Sequence, residues 1–344
     1  MNVAVVAKLS DYKLKNTLLP LVNLSAVENI YLVRRTPIVC EKVVCYCPPA
    51  VFRWNIVTSE LYRILALLYL CATKKADYII GIHFYFHCVY AALAGLLFQK
   101  PFMFSIVENP KLYKDSKVFK WLMTKARKVA VRGGHSQAFL AQRHVNAFVL
   151  PDYYKFRLHD PTSSRREYDF IFIGNLVQEK RVDLLLRAFA KLKARGACFR
   201  AVIIGRGVLE GELRKTRQEL GLSDCVEITG YVDSVFSYLD NARALTLFSE
   251  TEGLPTVLLE AVDAGLPLIV SDAGDITDFA KDNVNALVVK TGDVDRFADC
   301  CYRFLTDLNL RKKLQDNVLN SKKELEKKYS LEHVSAIWKG VLCA

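Results

Sequence analysis

Ser249-Glu-Thr-Glu-Gly-Leu-Pro-Thr-Val-Leu-Leu-Glu-Ala-Val-Asp-Ala-Gly265 reads as a loop running into a short buried helix, with two carboxylates, Glu252 and Glu260, set around the helix start. Pro255 suits the first turn, Val257, Leu258 and Leu259 supply an apolar surface, and Gly265 suits the position just past the C-terminus. The open N–H groups of a first turn and the positive end of its dipole attract an anion such as a diphosphate. Glu260, about one turn deeper, is an acceptor suited to hydroxyl groups instead. A glutamate pair at this spacing is expected by chance about once in a chain so rich in glutamate, so its neighbours decide what it means.

Outward from that helix, apolar runs of strand length alternate with helical patterns, which predicts parallel sheets covered by helices on both faces. In the first half the expected strands are 3–7, 30–33, 43–47, 78–82, 102–106, 128–131 and 147–150. In the second half they are 169–173, 200–204, 226–229, 244–248, 268–271 and 286–289. The fold class is therefore α/β, with two Rossmann-like, doubly wound domains facing across a cleft. The expected division is 1–155, a linker at 156–168 containing Asp160-Pro161-Thr-Ser-Ser-Arg-Arg, 169–325, and a C-terminal helix at 326–344 packing back toward the N-terminal domain. Segment 81–98 is apolar enough to mimic a membrane span, but His83 and His87 interrupt it and a strand followed by a helix explains it.

The 344 residues suit two cores, and 52% hydrophobic with 24% charged residues is a globular composition. The start of the chain runs directly into a strand pattern without the features of a signal peptide, so a cytoplasmic location, peripheral on the inner face of the membrane, is expected. Ten cysteines show no C-x-x-C pair, and Cys45, Cys88, Cys198 and Cys225 sit in apolar runs, as buried reduced thiols do. The net charge of +12 is uneven: residues 1–160 hold 22 Lys+Arg against 9 Asp+Glu, and the remainder 26 against 27. Lys111, Lys114, Lys117, Lys120, Lys125, Arg127 and Lys128, interleaved with Phe119, Trp121, Leu122 and Met123, fit two readings: a helix lying on an anionic membrane surface, or a packed helix with a solvated basic face. No recognition motif for nucleic acid accompanies the charge, and no nucleic-acid partner is expected.

Three further blocks lie at the same expected sheet edge. Ile171-Phe-Ile-Gly174-Asn175-Leu-Val-Gln-Glu-Lys180 leaves a strand and puts a lysine where it can neutralise a diphosphate. Ala201-Val-Ile-Ile-Gly205-Arg-Gly207 is a strand and a glycine turn, where missing side chains serve either a ligand's approach or tight packing. Gly230-Tyr231-Val232-Asp-Ser follows the next strand, with a backbone able to read a base.

In order, these blocks and Pro267-Leu-Ile-Val-Ser-Asp-Ala-Gly274 resemble the second domain of retaining glycosyltransferases of the GT-B fold, family GT4, closely over about 169–305 and more weakly before it. The resemblance implies that Glu260 holds the nucleotide ribose and Glu252 the donor sugar hydroxyls. It places the backbone of Gly253, Leu254, Pro255 and Thr256 against sugar and phosphates, and Lys180 on the diphosphate. Gly174, Asn175, Gly205, Tyr231 and Val232 complete the expected donor site. Asn175 stands where the family usually has an arginine, which shifts leaving-group stabilisation to Lys180 or Arg181. The loop 8–14 lacks the paired glycines of many relatives. The family's active-site histidine lies after the fourth strand, where both His83 and His87 occur, and His87 is the preferred match.

Asp293-Val-Asp295 resembles a metal-binding Asp-x-Asp, but its place before a helix makes Asp293 an N-cap. No metal or other cofactor is expected, and the nucleotide sugar is a substrate. The resemblance implies a metal-independent hexosyltransferase working from a UDP- or GDP-linked sugar to a glycan, lipid-linked or other hydroxyl acceptor. Its alternatives are an enzyme acting on the nucleotide sugar itself, as epimerase or hydrolase, and a non-catalytic sugar-nucleotide-binding scaffold.

Overall fold

A computed structural model describes residues 1–53, 55–157 and 166–343, with the side chains of Phe84 and Tyr85 left out of the description. Most of the expected linker, including Asp160 to Arg165, lies outside the described residues. The chain divides into two compact units, residues 1–155 with 327–344, and residues 156–326.

The first unit contains β1 (Asn2–Ala7), α1 (Asp11–Val22), β2 (Asn29–Val33), β3 (Val43–Tyr46), α2 (Ala50–Arg53), α3 (Ile56–Ala72), β4 (Tyr78–Ile82), α4 (Val89–Leu97), β5 (Phe102–Ser105), α5 (Lys117–Lys125), β6 (Lys128–Val131), α6 (Gly134–Ala141) and β7 (Ala147–Val149). Its seven strands are parallel in the order β3-β2-β1-β4-β5-β6-β7. The hydrophobic alternation of β1 sorts the core into two layers: Ala4 and Val6 face α3, α4, α5 and α6, while Val3 and Val5 face α1. A right-handed crossover between parallel strands needs such helices, and burial on both faces explains the unbroken Val/Ile runs.

The second unit contains β8 (Tyr168–Ile173), α7 (Val182–Ala194), β9 (Ala201–Ile204), α8 (Glu210–Glu219), β10 (Val226–Gly230), α9 (Phe236–Asp240), β11 (Ala242–Leu247), α10 (Val257–Asp263), β12 (Leu268–Ser271), α11 (Ile276–Phe279), β13 (Ala286–Val289), α12 (Val294–Thr306) and α13 (Leu308–Lys328). Its sheet runs β10-β9-β8-β11-β12-β13, all parallel. The order reverses between β8 and β11, so the loops leaving those two strands carry the topological switch point where doubly wound sheets bind ligands.

The last helix, α14 (Leu331–Leu342), belongs to the first unit, where it packs against α1 and buries Val334, Trp338 and Val341 beside Leu14 and Leu18. Ser335 Oγ donates to the Pro20 carbonyl at 3.1 Å, an acceptor left open because it is among the last four carbonyls of α1. Trp338 is among the largest fully buried side chains of the described residues. Cys198 departs from expectation, being exposed in the turn before β9, while Cys45 and Cys225 are half-buried and Cys88 is buried.

Candidate functional site

The loop from β8 turns at Gly174, makes a short 3-10 turn at Gln178–Lys180, and enters α7 through Arg181, whose left-handed backbone (φ 45°) redirects the chain. The loop from β11 runs alongside it, tied by the Glu250 N–H to the Glu179 carbonyl at 2.8 Å. This strap brings Lys180 and Glu252 together: Lys180 Nζ donates to Glu252 Oε1, and Ser249 Oγ donates to the same oxygen at 2.7 Å. Ser249 is itself held from below, its carbonyl accepting from Ser271 Oγ of β12 at 2.6 Å. Glu252 is 8% exposed and Lys180 retains partial access, so the pair sits at the edge of solvent with one charge of each sign.

Helix α10 begins at Val257, so Pro255 lies just before the N-cap Thr256 and not inside the first turn as the sequence suggested. The Leu258, Leu259 and Glu260 N–H groups bond back to Pro255 and Thr256 carbonyls at 3.1, 2.9 and 3.2 Å. These bonds narrow the donors open to an anion to the N–H groups of half-buried Gly253, Leu254 and Thr256 and of buried Val257. Glu260 lies in the first turn of α10 and is half-buried. At the other end of α10, Asp263 is fully buried and accepts from Arg157 N–H, Arg157 Nε at 2.9 Å and Lys322 Nζ at 3.0 Å. Arg157 also grips Asp240 with two bonds of 2.9 and 3.0 Å, so α9 and α10 are pinned to one guanidinium, and α13 joins them through Lys322 on the Asp263 carboxylate. Sequence reading missed this anchor, although a lone aspartate inside an apolar helix was its visible sign.

Gly205 has a φ of +148°, and a Cβ there would lie 1.8 Å from the Gly174 carbonyl oxygen. The glycine turn thus serves close packing of the β8 and β9 ends, with Gly174 N–H on the Ile204 carbonyl at 3.0 Å and Gly205 N–H on the Gly230 carbonyl at 2.9 Å. Gly174, Gly205 and Gly230 therefore share one sheet edge. Tyr231 is exposed there, with the Arg206 guanidinium 4.7 Å above its ring, a cation the sequence reading did not single out. Val232 is half-buried beside it, and Asn175 is exposed on the β8 loop. Arg181, offered as a second source of positive charge, is instead committed to Asp183 at 3.0 Å and to Glu250 at 3.6 Å.

In the first unit, β4 ends in a π-helical turn, Phe84–Cys88, entered through His83 at φ 73°. Gly81 makes the turn fit: a Cβ there would lie 2.9 Å from Cys88 Cα and 3.0 Å from the His87 carbonyl. His87 lies in that π turn, 2% exposed, with neither ring nitrogen hydrogen-bonded among the described residues. Burial pushes its pKa down to about 2, and the nearby Arg63, His83 and Lys8 charges reinforce the shift, so the imidazole is neutral. His83 is more open and approaches Glu108 Oε1 at 3.4 Å. Two buried arginines brace the loop after β1, which lacks the glycine pair: Arg63 donates to the Ala7 carbonyl at 3.1 Å, and Arg34 to the Leu9 carbonyl at 3.3 Å while pairing Asp11 at 2.9 Å. Arg63 was legible as the one cation of an otherwise apolar helix, with Glu60 three residues before it at 2.7 Å.

Asp293 caps α12 by accepting from the Arg296 N–H at 2.9 Å, and Asp295 pairs with Lys191 at 2.7 Å. Both carboxylates of that motif have structural work.

Residues 157–320 match the family model described as glycosyl transferases group 1. Among similar proteins, the amylovoran biosynthesis glycosyltransferase AmsK of Erwinia amylovora is 30% identical over 44% of this chain and 38% of its own length. A Campylobacter jejuni undecaprenol-diphosphate-linked glycan α-1,4-N-acetyl-D-galactosaminyltransferase is 30% identical over 57% of this chain and 54% of its own length. The chain thus spans only about half or less of these relatives. Among solved structures, Anabaena HepE in complex with UDP aligns over 100% of both chains with a TM-score of 0.76 at 14% identity. Sucrose-phosphate synthase from Thermosynechococcus elongatus aligns over 99% of this chain and 98% of its own with a TM-score of 0.79 at 15% identity, so the fold is GT-B. The second unit thus carries the match to the glycosyl transferases group 1 family model.

Proposed function

We propose that this protein is a retaining, metal-independent glycosyltransferase that moves a hexose from a UDP- or GDP-linked sugar to a glycan or lipid-linked hydroxyl. The observation that carries the reading is the joining of Lys180 to Glu252 at the switch point of the second sheet. A lysine there neutralises the charge that grows on the departing nucleoside diphosphate, and a carboxylate beside it accepts from sugar hydroxyls. Glu260, behind the loop of Gly253 to Thr256, takes the ribose hydroxyls, and the edge carrying Tyr231 and Val232 takes the base. With Asn175 uncharged and Arg181 committed to Asp183, Lys180 supplies the leaving-group charge by itself. His87, held neutral, polarises groups near the anomeric carbon without adding a charge. The relatives support both substrate classes: the name of one gives an undecaprenol-diphosphate-linked glycan as its acceptor, and HepE was solved with UDP, the nucleotide of a UDP-linked donor. The surplus of basic residues in the first unit suits work at an anionic membrane surface on the cytoplasmic side.

The test is a thermal-shift and transfer panel with UDP- and GDP-linked sugars on the intact chain and on Glu260→Ala. One donor should raise the melting temperature in proportion to ln(1 + [L]/Kd), the shift should vanish in the variant, and EDTA should leave transfer unchanged. A donor that is bound and then hydrolysed or epimerised without transfer to any added acceptor would replace this reading with that of an enzyme acting on the nucleotide sugar.

A further inference from the structure

The outer surfaces of α3, α4 and α5 carry a surplus of exposed apolar side chains that the fold of the first unit does not use. Along α3, Val57, Leu61, Leu65 and Tyr69 recur every four residues and are all more than half exposed. Along α4, Val89, Leu93 and Leu97 repeat the same spacing, each well exposed. The two helices are neighbours, and α4 is in turn a neighbour of α5, which adds exposed Val118 and Trp121. The opposite faces of these helices are fully occupied in the core, by Leu67 and Leu70 of α3, Ala91 and Ala94 of α4, and Leu122 and Met123 of α5. The outer rows are thus a second apolar face, and one this extensive is unusual on a surface exposed only to water.

Charge is arranged around the apolar face and not within it. Helix α4 has no charged residue, and the two in α3, Glu60 and Arg63, are paired with each other, with Arg63 buried. On and before α5, Lys111, Lys114, Lys117 and Lys120 are exposed, followed by Lys125 and Arg127, with Asp115 the single acid of residues 111–127.

We infer that the α3, α4 and α5 face docks on an anionic phospholipid bilayer, with the rows of α3 and α4 entering the headgroup and acyl boundary and the α5 lysines on lipid phosphates. This rests on the proposal that the protein works at a membrane surface, and it names the face that does so. A helix surface of this kind binds by buried apolar area together with attraction to anionic lipid. Charge complementarity selects the bilayer over a second copy of the chain, since a symmetric self-contact through α5 would set one lysine row against another. Among the described residues no helix is long and apolar enough to cross a membrane, so attachment through this face would be peripheral.

The experiment is co-sedimentation of the full chain with phosphatidylcholine vesicles and with vesicles of phosphatidylcholine and phosphatidylglycerol. Donor binding by thermal shift is measured on the same samples, so that loss of docking and loss of the enzyme reading are separate results. The wild type should bind the mixed vesicles at least about tenfold more tightly than the neutral ones, and Trp121 emission should shift to the blue. Leu61→Glu with Leu65→Glu, and separately Lys117→Glu with Lys120→Glu, should each weaken binding at least about tenfold while leaving donor binding unchanged, because all four side chains point to solvent. Equal binding to both vesicle types, binding that survives both pairs of substitutions, or no binding at all would overturn the proposal. A concentration-dependent dimer that Leu61→Glu with Leu65→Glu abolishes, with no vesicle binding by the wild type, would assign the face to self-association and overturn it as well.

Discussion

Lys180 and Glu252 lie 72 residues apart in the chain and form an ion pair at the switch point of the second sheet, with Ser249 Oγ donating to the same carboxylate oxygen as the lysine. On the proposed function, an arriving diphosphate would compete for the ammonium that Glu252 already holds. The pair keeps Lys180 pointed along the sheet edge, and the partial exposure of the lysine beside a buried carboxylate would let it share its three N–H donors between carboxylate and phosphate.

The two residues should therefore act as one unit. Lys180→Met should lower kcat by about 10²- to 10³-fold, the loss typical of one charge-stabilising donor. Glu252→Gln should cost a similar factor, and the double variant should be no worse than about the slower single one. Steady-state transfer rates at saturating donor check this, and a double variant whose loss is the product of the two single losses would show the residues to be independent.

How much of this was legible beforehand depended on range. The thirteen strands could be placed from runs such as Val3 to Ala7, since burial on both faces leaves a continuous apolar signature. The site blocks were legible because each is local: a strand end, a glycine, a lysine or glutamate. What escaped were side chains whose partners are distant in sequence. Nothing around Asp263 announces Arg157, 106 residues earlier, and nothing around Arg63 announces the Ala7 carbonyl, 56 residues away. Gly205 was ambiguous for a related reason, because only the register of β8 on β9 reveals that the Gly174 carbonyl fills the space.

The Asp263 anchor should be among the most sensitive positions of the second unit. Asp263→Asn leaves Lys322, 12% exposed, facing a neutral amide, while Arg157 keeps Asp240. Breaking one side of a buried pair costs about 3 to 5 kcal/mol, and the surviving Asp240 contact places the expected loss near about 3 kcal/mol. Because α10 also carries Glu260, donor affinity should fall with stability. Urea unfolding followed in parallel with donor titration measures both, and a stable variant with native affinity would refute the anchoring role.

The two glycines that meet at the sheet edge should respond unequally. Gly205→Ala forces a Cβ to 1.8 Å from backbone oxygen at a φ of +148° and should destabilise by at least about 2 kcal/mol. Gly174→Ala meets only the Phe172 ring at 3.1 Å and Lys180 Cε at 3.9 Å, so the chain should fold with a smaller loss and show its effect in turnover. Melting temperatures of the two variants decide the order, and equal losses would show that the close approach is relieved by backbone movement.

His87 gives the first unit a defined dependence on pH. Its folded pKa is depressed to about 2, below the ordinary value near 6.5, so between those values the unfolded chain binds a proton that the folded chain refuses. Stability therefore falls as pH drops below 6.5, by up to about 1.4 kcal/mol per pH unit once the unfolded imidazole is mostly charged. His87→Gln removes this contribution, so acidification from about pH 6.5 to pH 4.5 should cost the wild type roughly 2 kcal/mol more than the variant. Urea midpoints for the two proteins across that range test the difference. Parallel curves would mean that the imidazole protonates within the fold and that its buried nitrogens find a partner.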